Sequence, residues 1–132
     1  MTRHEVTSAD TATALGSGDV PVLGTPRLIA WMESAAVRSA APFLAAGQTT
    51  VGVAVRIEHL RASCVGESIE VTATPPPEAA DRRLTFLVQA TDSSGRLVAT
   101  GEIDRVIIDR ERFLAAQADR PPSGSHGRCQ GG

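Results

Sequence analysis

Glu33 sits in the middle of a segment that is otherwise small and apolar, Leu28-Ile29-Ala30-Trp31-Met32-Glu33-Ser34-Ala35-Ala36-Val37. A carboxylate is costly to bury unpaired, so a glutamate on the packed side of a helix turns to solvent, finds a cation, or is held there for chemistry. Ile29, Ala36 and Val37 occupy the positions one turn away, and Arg38 lies one residue beyond the best pairing geometry. His59 is the second candidate, because it is the only histidine outside the termini; His4 and His126 are poor ones. A carboxylate and an imidazole are groups that general acid–base catalysis uses, although a lone histidine at a strand end is more often structural. The third residue is Thr25, in Gly24-Thr25-Pro26, where a threonine can cap free backbone N–H groups and a proline suits the first helical position.

These residues need elements to position them. The helix that begins at Thr25-Pro26 should run to about Leu44, since Leu28, Met32, Ala35, Ala36, Ser39, Ala40 and Phe43 recur at helical spacing before Pro42 and Gly47 end it. The period then changes to two, which places Val51, Val53, Val55, Ile57 and His59 on one face of a strand and Gly52, Ala54, Arg56 and Glu58 on the other. Three more strands are expected, Ser68 to Pro75, Arg83 to Asp92 and Leu97 to Ile108, separated by Pro75-Pro76-Pro77-Glu78 and the turn Asp92-Ser93-Ser94-Gly95. Together they predict an antiparallel meander. Glu5 to Val22 reads as a short strand and a long connection with a turn at Gly16-Ser17-Gly18-Asp19. The Pro, Gly and Ser content from Arg120 onward predicts a disordered tail, so residues 1–116 form one domain and 117–132 a tail.

Composition narrows the function. The chain has 132 residues, enough for one domain with a real core. Its net charge of -2 and pI near 5.9 argue against nucleic-acid or anionic-membrane partners. All thirteen basic residues are arginine. Cys64 and Cys129 have no metal-ligand spacing, and no His/Cys cluster suggests a metal or cofactor. The N-terminus lacks a secretory pattern and no run is long enough to span a bilayer, which predicts a cytoplasmic protein.

One helix of small residues followed by a curved antiparallel sheet is an α+β arrangement in which the sheet wraps the helix. The local sequence resembles the hotdog-fold thioesterases of the fluoroacetyl-CoA thioesterase type from about Leu23 to Phe113. The densest similarity lies in Met32-Glu33-Ser34-Ala35-Ala36-Val37-Arg38, Ala41-Pro42-Phe43-Leu44 and Gly52-Val53-Ala54-Val55-Arg56-Ile57-Glu58-His59. That family uses a hydroxyl residue, a glutamate and a histidine, which the resemblance places at Thr25, Glu33 and His59. It implies an acyl-CoA substrate and a homodimer, or a tetramer built from dimers.

Thr25 and Glu33 are eight residues apart, roughly 12 Å along a helix, too far for direct contact. If both act on one thioester, the helix start of one subunit meets the helix middle of another across a two-fold interface. Backbone N–H groups around Gly24 could stabilise the oxyanion. Glu33 is then the general base or the nucleophile, His59 the proton donor to sulfur or the group that orients Glu33, and Thr25 a hydrogen-bond donor to carbonyl or water. Arg27, Arg56, Arg61 and Arg105 are candidate phosphate contacts, Arg105 having the best family correspondence; Gly24, Trp31 and Gly52 complete the expected substrate contacts. Aromatic residues cover the acyl pocket in the fluoroacetyl-specific enzyme, whereas Ala12 to Val22 contains none. Small residues there imply a roomier or more mobile lid, with Trp31 or Phe43 shaping the pocket and a short, branched or aromatic acyl group as substrate. The alternatives are a hotdog enoyl-thioester hydratase and a non-catalytic acyl-CoA binding protein.

Overall fold

The computed structural model describes residues 1–118. Its elements are strand β1 (Thr2–Glu5), a short helix α1 (Ala12–Leu15), the main helix α2 (Thr25–Ala40), strands β2 (Gln48–His59), β3 (Ser68–Thr74), β4 (Arg83–Asp92) and β5 (Leu97–Asp109), and a terminal helix α3 (Arg110–Ala118). The α+β expectation holds, with α2 against one face of a five-stranded antiparallel sheet of order β1-β3-β4-β5-β2. Leu28, Met32, Ala35, Ala36 and Ala40 form the buried stripe of α2, and Ile69, Val71, Leu84, Phe86, Val88 and Ile103 meet them from the sheet. Alanines on that stripe let the helix lie close to the strands.

Several boundaries differ from expectation. Regular α2 stops at Ala40, and Ala41–Phe43 continues as a single 3-10 turn, because Pro42 supplies no N–H to the helical ladder. The connection before α2 contains a 3-10 turn at Ser8–Asp10 and α1, whose Thr11 cap accepts from the Ala14 N–H. Only β3, β4 and β5 form the expected meander; β2 crosses to the far side and pairs with β5. The helix α3 was not foreseen and carries the chain two residues past the expected boundary at 116. The rest of the expected tail, 119–132, with His126 and Cys129, lies outside the described residues. Cys64 is exposed and free. No described helix is long and apolar enough to cross a membrane.

The most consequential correction is in β2. Its ladder to β5 shifts register between Gly52 and Ala54, so Val53 is a bulge. One extra residue reverses the alternation along a strand. The expected single row from Val51 to His59 is therefore broken: Val51, opposite Val106, lies on the other face from Val55, Ile57 and His59, and the bulged Val53 is 49% exposed. Gly52 and His59, seven apart and thus on opposite faces of a regular strand, both come to face α2. Farther along, Gly101 of β5 lies against the Arg56 carbonyl so closely that a β-carbon would collide with it.

On the opposite face of the sheet, Asp104 is buried among Arg56, Arg83 and Thr85. Its oxygens accept from Arg56 Nη1 and Nη2 at 3.1 and 3.0 Å, from Arg83 Nη2 at 2.7 Å and from Thr85 Oγ1 at 2.9 Å. Hydrogen bonds from Arg56, then from Arg83 and Thr85, hold its carboxyl well below the usual aspartate range against the opposing effect of burial. A depressed folded-state pKa contributes stability that is full above the unfolded value and lost as pH falls through the folded one. Asp104→Asn should therefore destabilise the fold by about 1–2 kcal/mol at pH 7. In thermal unfolding measured across pH, the gap between the two proteins should close as pH drops below about 4.

Candidate active site

Gly24 is the N-cap of α2, with Thr25 and Pro26 as the first two helical residues. Thr25 thus does not cap the helix as expected. Its side chain is instead free to turn toward β2, where Thr25 Oγ1 and His59 Nδ1 lie 2.8 Å apart. The other imidazole nitrogen, His59 Nε2, is buried and has no partner among the described residues. Either the Thr25 hydroxyl donates to Nδ1 and Nε2 carries the proton, or Nδ1–H donates to the hydroxyl and Nε2 offers its lone pair. Burial pushes the imidazole below its ordinary 6.5, outweighing a backbone hydrogen bond involving Arg61 that acts the other way. At pH 7 this histidine is neutral. A pocket of about 330 Å³ opens beside the pair, walled by Ala12, Val22, Leu23 and Leu60.

The start of α2 offers one backbone donor to a ligand. The Gly24 N–H is taken by the Asp10 carbonyl at 2.9 Å, Pro26 has none, and the Arg27 N–H bonds the Gly24 carbonyl at 3.1 Å. That leaves the Thr25 N–H, at the positive end of the helix, without an acceptor among the described residues. Gly24 itself is buried and a β-carbon there would lie 3.0 to 3.2 Å from Leu15 and Ala12, so it fits the lid segment against the helix. Arg27 belongs to the same junction, its Nε 3.0 Å from Asp10 Oδ1.

A second cluster lies two turns along α2. Glu33 does find a cation, but from β5: its Oε2 is 3.4 Å from Arg105 Nη1, with the glutamate side chain 38% exposed and the arginine 9%. Arg105 Nε donates to Thr50 Oγ1 at 2.8 Å and Nη2 to the Thr50 carbonyl at 3.1 Å. The guanidinium is thereby fixed along one edge, and Nη1 is left facing the carboxylate. Gly52 is the register partner of Arg105 across the β2–β5 ladder. A β-carbon at 52 would stand 2.9 Å from Glu33 Oε2 and 3.1 Å from Arg105 Nη1, so the glycine keeps a notch open above both groups.

The structure thus brings Thr25 to His59 and Glu33 to Gly52 and Arg105, while no hydrogen bond or ion pair among the described residues joins the two clusters. Trp31 is separate from both: its ring stacks on His4 of β1, centroids 4.4 Å apart and planes inclined by 6°. Arg56 is committed to Glu102 and Asp104 on the opposite face. Sequence reasoning missed Thr50 as the holder of Arg105 and missed Arg105 as the counterion of Glu33. Both depend on contacts between residues more than fifty positions apart, and nothing local signals them. Among the described residues no group of three or more His, Cys, Asp or Glu side chains could hold a metal ion.

Comparison with known proteins gives this geometry a context. The family described as fluoroacetyl-CoA-specific thioesterase matches residues 6–111. The fluoroacetyl-CoA thioesterase of Streptantibioticus cattleyicolor is 32% identical over 103 residues, 78% of this chain and 73% of that protein. A solved structure of the fluoroacetyl-CoA thioesterase FlK superposes with a TM-score of 0.81 at 28% identity, covering 92% of this chain and 93% of that one. A variant of FlK solved with fluoroacetate and CoA gives 0.80 at 28% identity, with 92% and 98% covered. A hot-dog-like protein from Thermanaerovibrio acidaminovorans shares the fold, at a TM-score of 0.81 and 24% identity over 92% of this chain and 89% of its own. The curved sheet around α2 is thus a hotdog fold, and the chain belongs to the fluoroacetyl-CoA-specific thioesterase family.

Proposed function

We propose that the protein hydrolyses acyl-CoA thioesters at a site shared by two protomers, with Thr25 and His59 from one and Glu33, Gly52 and Arg105 from the other. The observation that carries this reading is the separation of the two clusters on a single helix. Each holds half of what hydrolysis requires, and eight residues of α2 keep them roughly 12 Å apart along its axis. A two-fold axis beside β2 would bring complementary halves together twice. β2 is an edge strand with Val53 and Val55 exposed, a surface that pairing with a second copy would cover. The same surface supports a homodimer as the working unit, in the cytoplasm where coenzyme A thioesters are metabolised.

At such a site the thioester carbonyl points at the start of α2, where the Thr25 N–H and hydroxyl stabilise charge on its oxygen. Glu33 attacks the carbonyl carbon directly, forming an acyl anhydride that water then cleaves to the free acid, or draws a proton from a water that attacks instead. Arg105, held by Thr50, aims that carboxylate, and Gly52 leaves room for the reacting atoms. As the C–S bond breaks, the departing thiolate takes the proton that the water gives up, carried by His59 Nε2, the unengaged ring atom, whose lone pair is free while Nδ1–H donates to the Thr25 hydroxyl, so that His59 begins and ends neutral. The acyl group is free of the aromatic cover expected for fluoroacetyl, since no aromatic residue occurs from Ala12 to Val22. Short, branched and aryl acyl groups are all candidates.

Thiol release from a panel of short, branched and aryl acyl-CoA thioesters tests the reaction. Wild type should release thiol, and Glu33→Ala should lose at least about 100-fold in kcat, the scale of a missing acid or base. Equal rates for the two proteins would remove Glu33 from the chemistry, and a hydrated acyl-CoA product would indicate a hydratase instead.

The shared site has its own test. Glu33→Ala and His59→Ala should each be inactive, yet co-expressed they should recover about a quarter of wild-type activity, because half of randomly mixed dimers carry one intact site of two. No recovery would place the whole site within one protomer. A neutral His59 further predicts that kcat/KM rises with pH through an apparent pKa below 6.5 and is level from pH 7 to 8. An acid limb centred above 6.5 would contradict a desolvated imidazole.

A further inference from the structure

We propose that Arg61 binds the phosphate at the far end of the substrate's phosphopantetheine arm; this rests on the thioesterase reading and assigns the carrier's path through the site. The lining of the pocket beside Thr25 and His59 includes one charged residue, Arg61, and no carboxylate. Its other walls, such as Val22, Leu23 and Leu60, are apolar and suit an uncharged chain. A ligand entering there therefore meets apolar walls near the thioester and a single positive charge at the surface, the order of chemistry along a phosphopantetheine arm.

The other three arginines singled out from sequence are already committed. Arg27 pairs with Asp10, Arg56 with Glu102 and Asp104, and Arg105 is buried against Thr50 and Glu33. Arg61 is exposed and has no ion-pair partner among the described residues. Its backbone is nonetheless fixed, because the Leu60 and Arg61 N–H groups both donate to the Val98 carbonyl, at 2.8 and 3.2 Å. A permanently charged fork on an anchored backbone, two residues beyond His59, is suited to an anionic phosphate oxygen.

The test uses one acyl group on three carriers, coenzyme A, 4′-phosphopantetheine and pantetheine, with wild type, Arg61→Ala and Arg61→Lys. Arg61→Ala should lower kcat/KM about tenfold for the two phosphate-bearing carriers, through KM with kcat unchanged, and leave the pantetheine thioester unaffected. Arg61→Lys should restore part of the loss, and added salt should narrow the difference between wild type and Arg61→Ala. An equal loss on pantetheine would show that Arg61 acts on the fold or the thioester, and no loss on any carrier would place the phosphates elsewhere. A loss on coenzyme A alone would move Arg61 to the nucleotide end and overturn its assignment to the phosphopantetheine phosphate. Calorimetric titration with coenzyme A separates this inference from the reaction. Weaker binding by Arg61→Ala in a protein that cleaves no thioester upholds Arg61 and overturns hydrolysis, whereas wild-type protein that fails to bind coenzyme A overturns Arg61.

Discussion

The seam between α2 and the sheet has to accommodate a carboxylate, and much of the surrounding structure follows from that requirement. Glu33 stands between Met32 and Ala35, both buried, with only a partial opening to solvent. An unpaired charge there would be expensive, and Arg105 answers it from β5. Burying a guanidinium raises the same problem in turn, which the hydroxyl and carbonyl of Thr50 solve. The ladder residue facing Arg105 must then lack a side chain, and it is Gly52. One charge thus sets the identity of residues on two further strands.

β5 serves both faces of the sheet at this level. Arg105 points to α2, and its neighbour Asp104 points away, into the cage of Arg56, Arg83 and Thr85. Strand alternation puts two opposite charges one residue apart and yet on opposite sides of the sheet. The outer cluster ties β2, β4 and β5 together where β2 bulges, which steadies the strand that carries Gly52 and His59.

Much of this was legible in the sequence. The start of α2, its buried stripe and the bounds of β4 followed from periodicity and breakers, because those signals are local. Glu33 was recognisable as anomalous for the same reason. Its counterion was not, since Arg105 is brought to it only by the packing of β5 against a helix seventy residues earlier. The parity of β2 was misjudged because a bulge has no fixed sequence mark; Gly52-Val53-Ala54 alternates no differently from the rest of the strand. Thr25 showed the opposite error. Its type suits a cap, but with Gly24 taking that position the hydroxyl was released to meet His59.

The segment from Ala12 to Val22 is attached at its base and little elsewhere. Thr11 bridges Leu23, the Ala12 N–H bonds the Val22 carbonyl, and the Gly24 N–H bonds the Asp10 carbonyl, so the two ends are clamped together before α2 begins. Between the clamps, most side chains are exposed. Mutations or length changes at the exposed tip, Gly16 to Pro21, would therefore be absorbed without moving the start of α2, against which Ala12 and Leu15 pack. Such an arrangement makes substrate range evolvable: selection can redraw the cover of the pocket while the reacting groups stay in place, and related enzymes could diverge in diet while keeping one chemistry.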